Sequence, residues 1–196
     1  MEDMLELFDP SNLNKSASSF NAEKLLWLNS EYIKAVSNDR IIEELKFFDM
    51  DLSHHPKRTE LLDLSKQRAQ TIVELKASVN SILDIPTSYE EQGVKKFVKE
   101  DTRDFLEKYL VLLEENKDNL YDVSNVEEIT KPFITENGLK FPQLFQPIRI
   151  ALTGGTQAPS VYDIIAILGF HEVSSRLENA LKRNFQNTWL FKNNQA

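Results

Sequence analysis

The side chains with most chemistry to offer lie between Phe141 and Leu181, in FPQLFQPIRIALTGGTQAPSVYDIIAILGFHEVSSRLENAL. Arg149 supplies a planar fork of donors, suited to base edges, carboxylates or phosphates. Gly154 and Gly155 allow positive φ, so a partner or a neighbouring element can come close to the main chain. Pro159 adds a flat apolar wall. Fork, bare backbone and wall are the parts needed to grip an unstacked base of single-stranded RNA. Each also has an ordinary structural use: Arg149 in an ion pair, the glycines in a turn, Pro159 as the first residue of a helix; a phosphate loop at the glycines is a weaker functional alternative. A second arginine, Arg68 in LSKQRAQTIVEL, falls on the apolar stripe of a predicted helix. There a guanidinium must be paired, snorkel to water or face a partner.

The remaining candidates point to little chemistry. His54-His55 follows Asp49 and Asp51, but the spacing matches no standard zinc pattern, and the chain has no cysteine to supply a thiolate. His171 reads as a capping or surface residue, and Glu114-Glu115 as part of a solvated helix face. Trp27 and Asn29 in KLLWLN read as packing and helix-junction residues. There is no P-loop lysine and no Gly-x-Gly-x-x-Gly after a strand, and no nucleophile–base constellation is evident.

The elements that must position these residues read as helices throughout. Met4–Phe8 forms a short helix ended by Pro10, followed by the polar connector SNLNKSASS. A helix starts at Ala22 after a Ser19 or Asn21 cap, with Leu25, Leu28 and Tyr32 on one face. The next follows an Asn38-Asp39 cap and buries Ile41, Leu45 and Phe48. From Thr59 to Leu83 the apolar residues Leu61, Leu64, Ile72, Leu75, Val79 and Ile82 keep a helical period, predicting one long helix. Another runs from Val94 to Asn116. Ser124-x-x-Glu127 reads as a capping box opening a helix that Asn137-Gly138 ends. Phe141–Ser160 reads as a loop carrying Arg149 and the glycine turn. Ser160 then caps a short helix through Leu168, Gly169 stops it, and Val173, Leu177 and Leu181 form the stripe of a second helix folding back on it. No strand alternation and no repeat is evident. The expectation is an all-α chain of two consecutive helical bundles, residues 1–88 and 89–196, with the boundary around Pro86 and Gly93.

At 196 residues the chain can bury a real core. No apolar run is long enough for a membrane span, and the acidic amphipathic MEDMLELFD is unlike a signal peptide. A soluble, cytoplasmic protein, or a piece of one, is expected. Net charge −8 opposes nucleic-acid binding, but it is unevenly spread. Lys140–Lys192 carries six Lys/Arg against three Asp/Glu, so the basic end coincides with the motif-bearing end.

The pattern PIRIALTGG…APSVYDIIAILG…RLENAL resembles the C-terminal end of bacterial-type glutamyl-tRNA synthetases, in their anticodon-binding half. LELFDPSNLNKSASSFNAEKLLWLNSEYIK resembles the segment that follows the catalytic half of that family, and DLSKQRAQTIVEL its helix between the two. The three blocks stand in the family's order and span nearly the whole chain. The resemblance implies an all-helical anticodon-binding region with tRNA(Glu) as partner, and tRNA(Gln) as well if the parent enzyme is non-discriminating. It implies a monomeric parent that joins glutamate to tRNA with ATP and Mg2+. No cofactor is expected in this chain. With no HIGH-like motif, no KMSKS-type loop and no dinucleotide-fold pattern, the chain alone is expected neither to activate glutamate nor to charge tRNA. Carried over residue by residue, the base contacts fall on Arg149, Ala158, Pro159 and Val161. The residue that discriminates the third anticodon base falls on Arg68 or Lys66. Where the family often has Thr or Gly, this chain has Ala158, and where it has Gly, this chain has Ser160. Backbone and apolar contacts therefore carry over, and a side-chain hydroxyl contact at 158 does not. The first rival reading is a helical protein–protein adaptor with no RNA role, supported by the pI near 5.0 and the amphipathic helices; the second is a small-molecule or phosphate binder using the TGGT turn.

Overall fold

Side-chain caps set where the helices begin. The computed structural model describes Asp9 and residues 21–185; the expected Met4–Phe8 helix, Pro10, the 11–19 connector and residues 186–196 lie outside the described residues. Among the described residues the chain forms nine α-helices and one short 3-10 turn, with no strand, so the all-α expectation holds. Asn21 accepts from the Lys24 N–H at 2.9 Å and opens α1, Ala22–Ala35. Ser37, not Asn38, caps α2, Asn38–Lys46. After a loop come α3, Arg58–Lys66, and α4, Ile72–Leu83.

The single helix expected over Thr59–Leu83 is therefore two. Thr71 accepts from the Glu74 N–H at 3.1 Å, while Gln70 N–H donates back to the Glu74 carboxylate at 2.8 Å, and this reciprocal cap starts a new helix. The apolar period runs across the break because both helices face buried surface, which is why it read as continuous. Likewise Val94–Asn116 divides into α5, Glu91–Phe97, and α6, Thr102–Glu115, where Thr102 Oγ1 accepts from the Lys99 N–H at 2.7 Å. α7, Val123–Glu136, is capped by Asp122 through the Ser124 N–H at 2.8 Å, not by Ser124 itself, and ends at Asn137 as expected.

The largest correction concerns Phe141–Thr153. It is a helix, α8, not a loop. Pro142 sits in the first turn, where an N–H has no helical partner to lose. Gln143 reaches back to accept from the Lys140 N–H at 2.7 Å. Pro147 costs an interior hydrogen bond, but burial of Leu144, Ile148, Ile150, Ala151 and Leu152 outweighs that loss. Gly154 closes the helix at φ +82. The last helix, α9, spans Val161–Lys182 and is interrupted at Gly169, where φ is +72 and ψ is 171. The break comes at the expected place with positive φ, though with an extended ψ. Ser160 stands at the N-cap but makes no side-chain cap bond.

Two apolar clusters hold these helices. Ile33, Ile41, Leu45, Leu62, Leu75 and Val79 belong to the first; the second gathers α5–α9 and takes in Leu61 and Ile82 from α3 and α4. Leu83 packs against both. Val173, Leu177 and Leu181 are buried in the second cluster, as their stripe predicts. On α1, by contrast, Trp27 does not pack: it is 58 % exposed, and Leu25, Leu28 and Tyr32 are exposed with it. Phe48 is likewise mostly outside the core. Asn29 does serve as a junction, donating to the Gln70 carbonyl in the α3–α4 turn.

Candidate nucleic-acid interface

Helical spacing in α8 puts Phe141, Phe145 and Arg149 on one face, with Gln146 beside them. The segment 154–160 then brings the first turn of α9 against that face. The result is an open cleft of about 310 Å³ lined by Phe141, Phe145, Gln146, Arg149, Val161 and Tyr162. Phe141 stacks on Phe145 with ring centroids 5.0 Å apart and planes at 13°; Tyr162 meets Phe145 edge-on at 5.0 Å and 80°. Phe141 is 49 % exposed and extends the aromatic wall to solvent.

The polar groups of this cleft lack partners. Arg149 Nε, Gln146 Oε1 and Tyr162 Oη are buried without a hydrogen bond. Such orphaned atoms are costly in a native fold, and all three belong to residues that line the cleft. Arg149 is half-buried, and neither it nor Arg68 forms an ion pair among the described residues. Burial, together with the nearby Arg68 charge, pushes the Arg149 guanidinium below its ordinary value. Burial raises the Tyr162 phenol, with a smaller contribution from Glu127. The cleft can therefore offer the exposed Phe141 ring for stacking and the half-buried Arg149 guanidinium, which has no ion-pair partner among the described residues, as a donor fork.

Of the sequence-predicted residues, the structure brings Arg149 and Val161 together at the cleft. Ala158 and Pro159 lie in the segment leading into it and are buried, so their side chains present little surface. Arg68 lies in the turn after α3, exposed, and donates to the Ala158 carbonyl at 3.0 Å. It thereby tethers that segment. Lys66 is buried, and its ammonium donates to the Val36 carbonyl at 2.6 Å, joining α3 to the end of α1. Phe141, Phe145, Gln146 and Tyr162 were missed by sequence reasoning. Their signal was the i, i+4, i+8 run Phe141–Phe145–Arg149, visible only once the segment is taken as a helix. A larger cleft, of about 480 Å³, between α5, α6 and the end of α9 is less suited to a ligand. There Arg103 is committed to Glu107 and the Leu181 carbonyl, and Lys99 to the Lys95 carbonyl. Among the described residues no three His, Asp or Glu come together as metal ligands, and no helix is long and apolar enough to cross a membrane.

The helical fold and its cleft define the class: the chain belongs to the anticodon binding domain family, whose model matches residues 20–181. Its relatives are ligases. Glutamate–tRNA ligase 1 of Aliarcobacter butzleri is 76 % identical over 188 residues, covering 96 % of this chain and 40 % of the relative. Glutamate–tRNA ligase 1 of Campylobacter hominis is 40 % identical over 182 residues, covering 93 % of this chain and 39 % of the relative. The chain thus spans about two fifths of the length of these relatives. The fold matches the crystal structure of a glutamate tRNA ligase from Elizabethkingia meningosepticum in complex with its amino acid. That match has a TM-score of 0.83 at 23 % identity, over 92 % of this chain and 36 % of that one.

Proposed function

We propose that this chain is the tRNA-recognition part of a glutamate–tRNA ligase, and that the α8–α9 cleft receives an anticodon base of tRNA(Glu). The observation that carries this reading is the half-buried Arg149, with no ion-pair partner among the described residues, beside the half-exposed Phe141 ring in one cleft. In this reading Phe141 stacks the base and Arg149 reads its edge, while Val161, buried behind the cleft, sets its shape. Ala158 and Pro159 contribute the main chain and the shape of the rim. Arg68 holds the rim and presents a second positive charge towards the phosphates. Lys66 supports the fold from inside.

The parent enzyme would join glutamate to tRNA with ATP and Mg2+ held in the part that lies outside this chain, and would act in the cytoplasm as a monomer. This chain would contribute recognition and no chemistry. tRNA(Gln) is a second partner if the parent is non-discriminating. The domain division we propose, 1–88 and 89–196, follows the two apolar clusters in outline, with Leu61 and Ile82 of the first part packing into the second cluster. The adaptor reading has one observation in its favour, the exposed apolar face of α1 with Trp27 and Tyr32.

A binding titration of the chain against a glutamate-tRNA transcript and an anticodon-swapped transcript, at low and moderate salt, separates the readings. Anticodon recognition predicts selective binding that weakens steeply with salt as counterions are released. An adaptor predicts no binding to either transcript. Arg149→Ala is expected to cost roughly 1–3 kcal/mol and to narrow the gap between the transcripts. Unchanged affinity and selectivity, with the helical circular dichroism intact, would remove Arg149 from the site.

A further inference from the structure

The rim segment 154–160 decides where Val161 and Tyr162 stand opposite Arg149, and it has no regular structure of its own. What fixes it comes largely from a residue 66 positions earlier. Glu90 Oε2 accepts from the Thr156 N–H at 2.7 Å and from Thr156 Oγ1 at 2.6 Å. The Glu90 N–H donates to the Gly154 carbonyl at 2.7 Å. Glu90 stands at the N-cap of α5, where a side chain ordinarily bonds its own helix, yet it makes no such bond. Its carboxylate is spent on the rim. The seat is close-fitting on both sides. A Cβ on Gly93 would lie 2.6 Å from Thr156 Cγ2, and one on Gly154 would lie 2.9 Å from the Ser88 carbonyl oxygen. Both Thr156 bonds favour the ionised carboxyl and hold it below the usual carboxylate range, so the latch is charged at neutral pH. At the other end of the segment the tether is Arg68 on the Ala158 carbonyl.

We infer that Glu90 is a positioning residue for the recognition cleft, latching the 154–160 rim so that the cleft keeps the width that distinguishes one base from another. The inference rests on the anticodon reading proposed above. Glu90 touches no ligand; it acts through Thr156 and the backbone that follows. Its loss should therefore blur selectivity more than it weakens overall binding, which is dominated by the phosphates.

The test compares wild type, Glu90→Ala, Glu90→Gln, Thr156→Val and the double variant Glu90→Ala/Arg149→Ala. The readouts are the affinity ratio between the glutamate-tRNA and anticodon-swapped transcripts, and amide hydrogen exchange at Thr156. Glu90→Ala should lower the ratio by roughly tenfold, the scale of one charge-assisted hydrogen bond, and speed Thr156 exchange. Glu90→Gln keeps an acceptor oxygen and should retain most of both. Thr156→Val removes only the hydroxyl and should lose selectivity in part, which keeps the test open if Glu90→Ala fails to fold. The double variant should be no less selective than Arg149→Ala alone. A selective wild type with an equally selective Glu90→Ala, or unchanged Thr156 exchange in that variant, would overturn the positioning role alone. A wild type that cannot tell the transcripts apart would overturn the anticodon reading, and the positioning role with it.

Discussion

Arg176 Nη1 donates to the Leu152 carbonyl at 2.7 Å while its Nη2 reaches the Leu83 carbonyl at 2.8 Å, so one buried guanidinium joins the C-termini of α8 and α4. Nη1 also reaches the Ile82 carbonyl at 2.9 Å, and Nε bonds Glu172 at 2.7 Å. The last carbonyls of a helix have no partner within it and carry the negative end of its dipole, so a cation between two such ends satisfies both. Arg176→Met would leave those carbonyls buried and unpaired. It should destabilise the chain by about 3 kcal/mol and lower Tm by about 6–12 °C in differential scanning calorimetry. A Tm within about 2 °C of wild type would show that water replaces the arginine at little cost.

Arg149 has the opposite economy. The residue is half-buried, its Nε is buried without a partner, and burial already disfavours its charge. Arg149→Met should therefore leave Tm unchanged or raise it while binding falls, the signature of a group kept for a partner. A fall in Tm comparable to that of Arg176→Met would make Arg149 a structural residue.

How far the site was legible follows from these two arginines. Arg149 stood out because it was isolated among apolar residues beside a glycine turn, and the structure does place it at a cleft. The aromatic wall beside it was hidden by Pro142 and Pro147, which argued for a loop. Local propensity lost there to the burial of one whole helix face. Arg176 drew no notice because its partners are main-chain carbonyls far away in sequence, which carry no residue-type signal. The all-helical class was readable from spacing throughout. Breaks at Gln67–Thr71 and Val98–Asp101 were not, because the apolar period continued across them.

Gly169 lies at φ +72 and ψ 171, a region that only glycine occupies readily, and a Cβ there would stand 2.9 Å from Tyr121 Cε1. Gly169→Ala combines backbone strain with a clash against a ring. It should cost about 2–3 kcal/mol by urea denaturation, with the m-value unchanged. Were the cost near that of an ordinary surface change, α9 would have straightened through residue 169.

His55 gives the chain a pH-sensitive point away from the cleft. Its Nδ1 accepts from the Lys57 N–H at 3.2 Å and must be unprotonated to do so. Burial pushes the imidazole below its ordinary 6.5, against a smaller opposite pull from Glu60. The folded state thus binds fewer protons than the unfolded one near that pH. The contribution is present above 6.5 and is lost as pH falls from there through the folded value. Tm should fall between about pH 7 and about pH 5, and His55→Gln should flatten that part of the profile. An identical profile in the variant would place the sensitivity elsewhere.

Phe141 and Phe145 stack on each other but should separate cleanly on substitution. Phe145 is buried in the second cluster, whereas Phe141 is half in solvent. Phe145→Ala should therefore cost about 3–5 kcal/mol of stability through transfer and cavity terms. Phe141→Ala should cost little stability and yet weaken tRNA binding by about 1–3 kcal/mol, the worth of one base stacked on an aromatic ring. The effect should persist at moderate salt, where the phosphate contribution has shrunk, because stacking releases no counterions. If Phe141→Ala instead lost affinity only at low salt, the ring would be acting through the positive field around it, and the base would not be lying on α8.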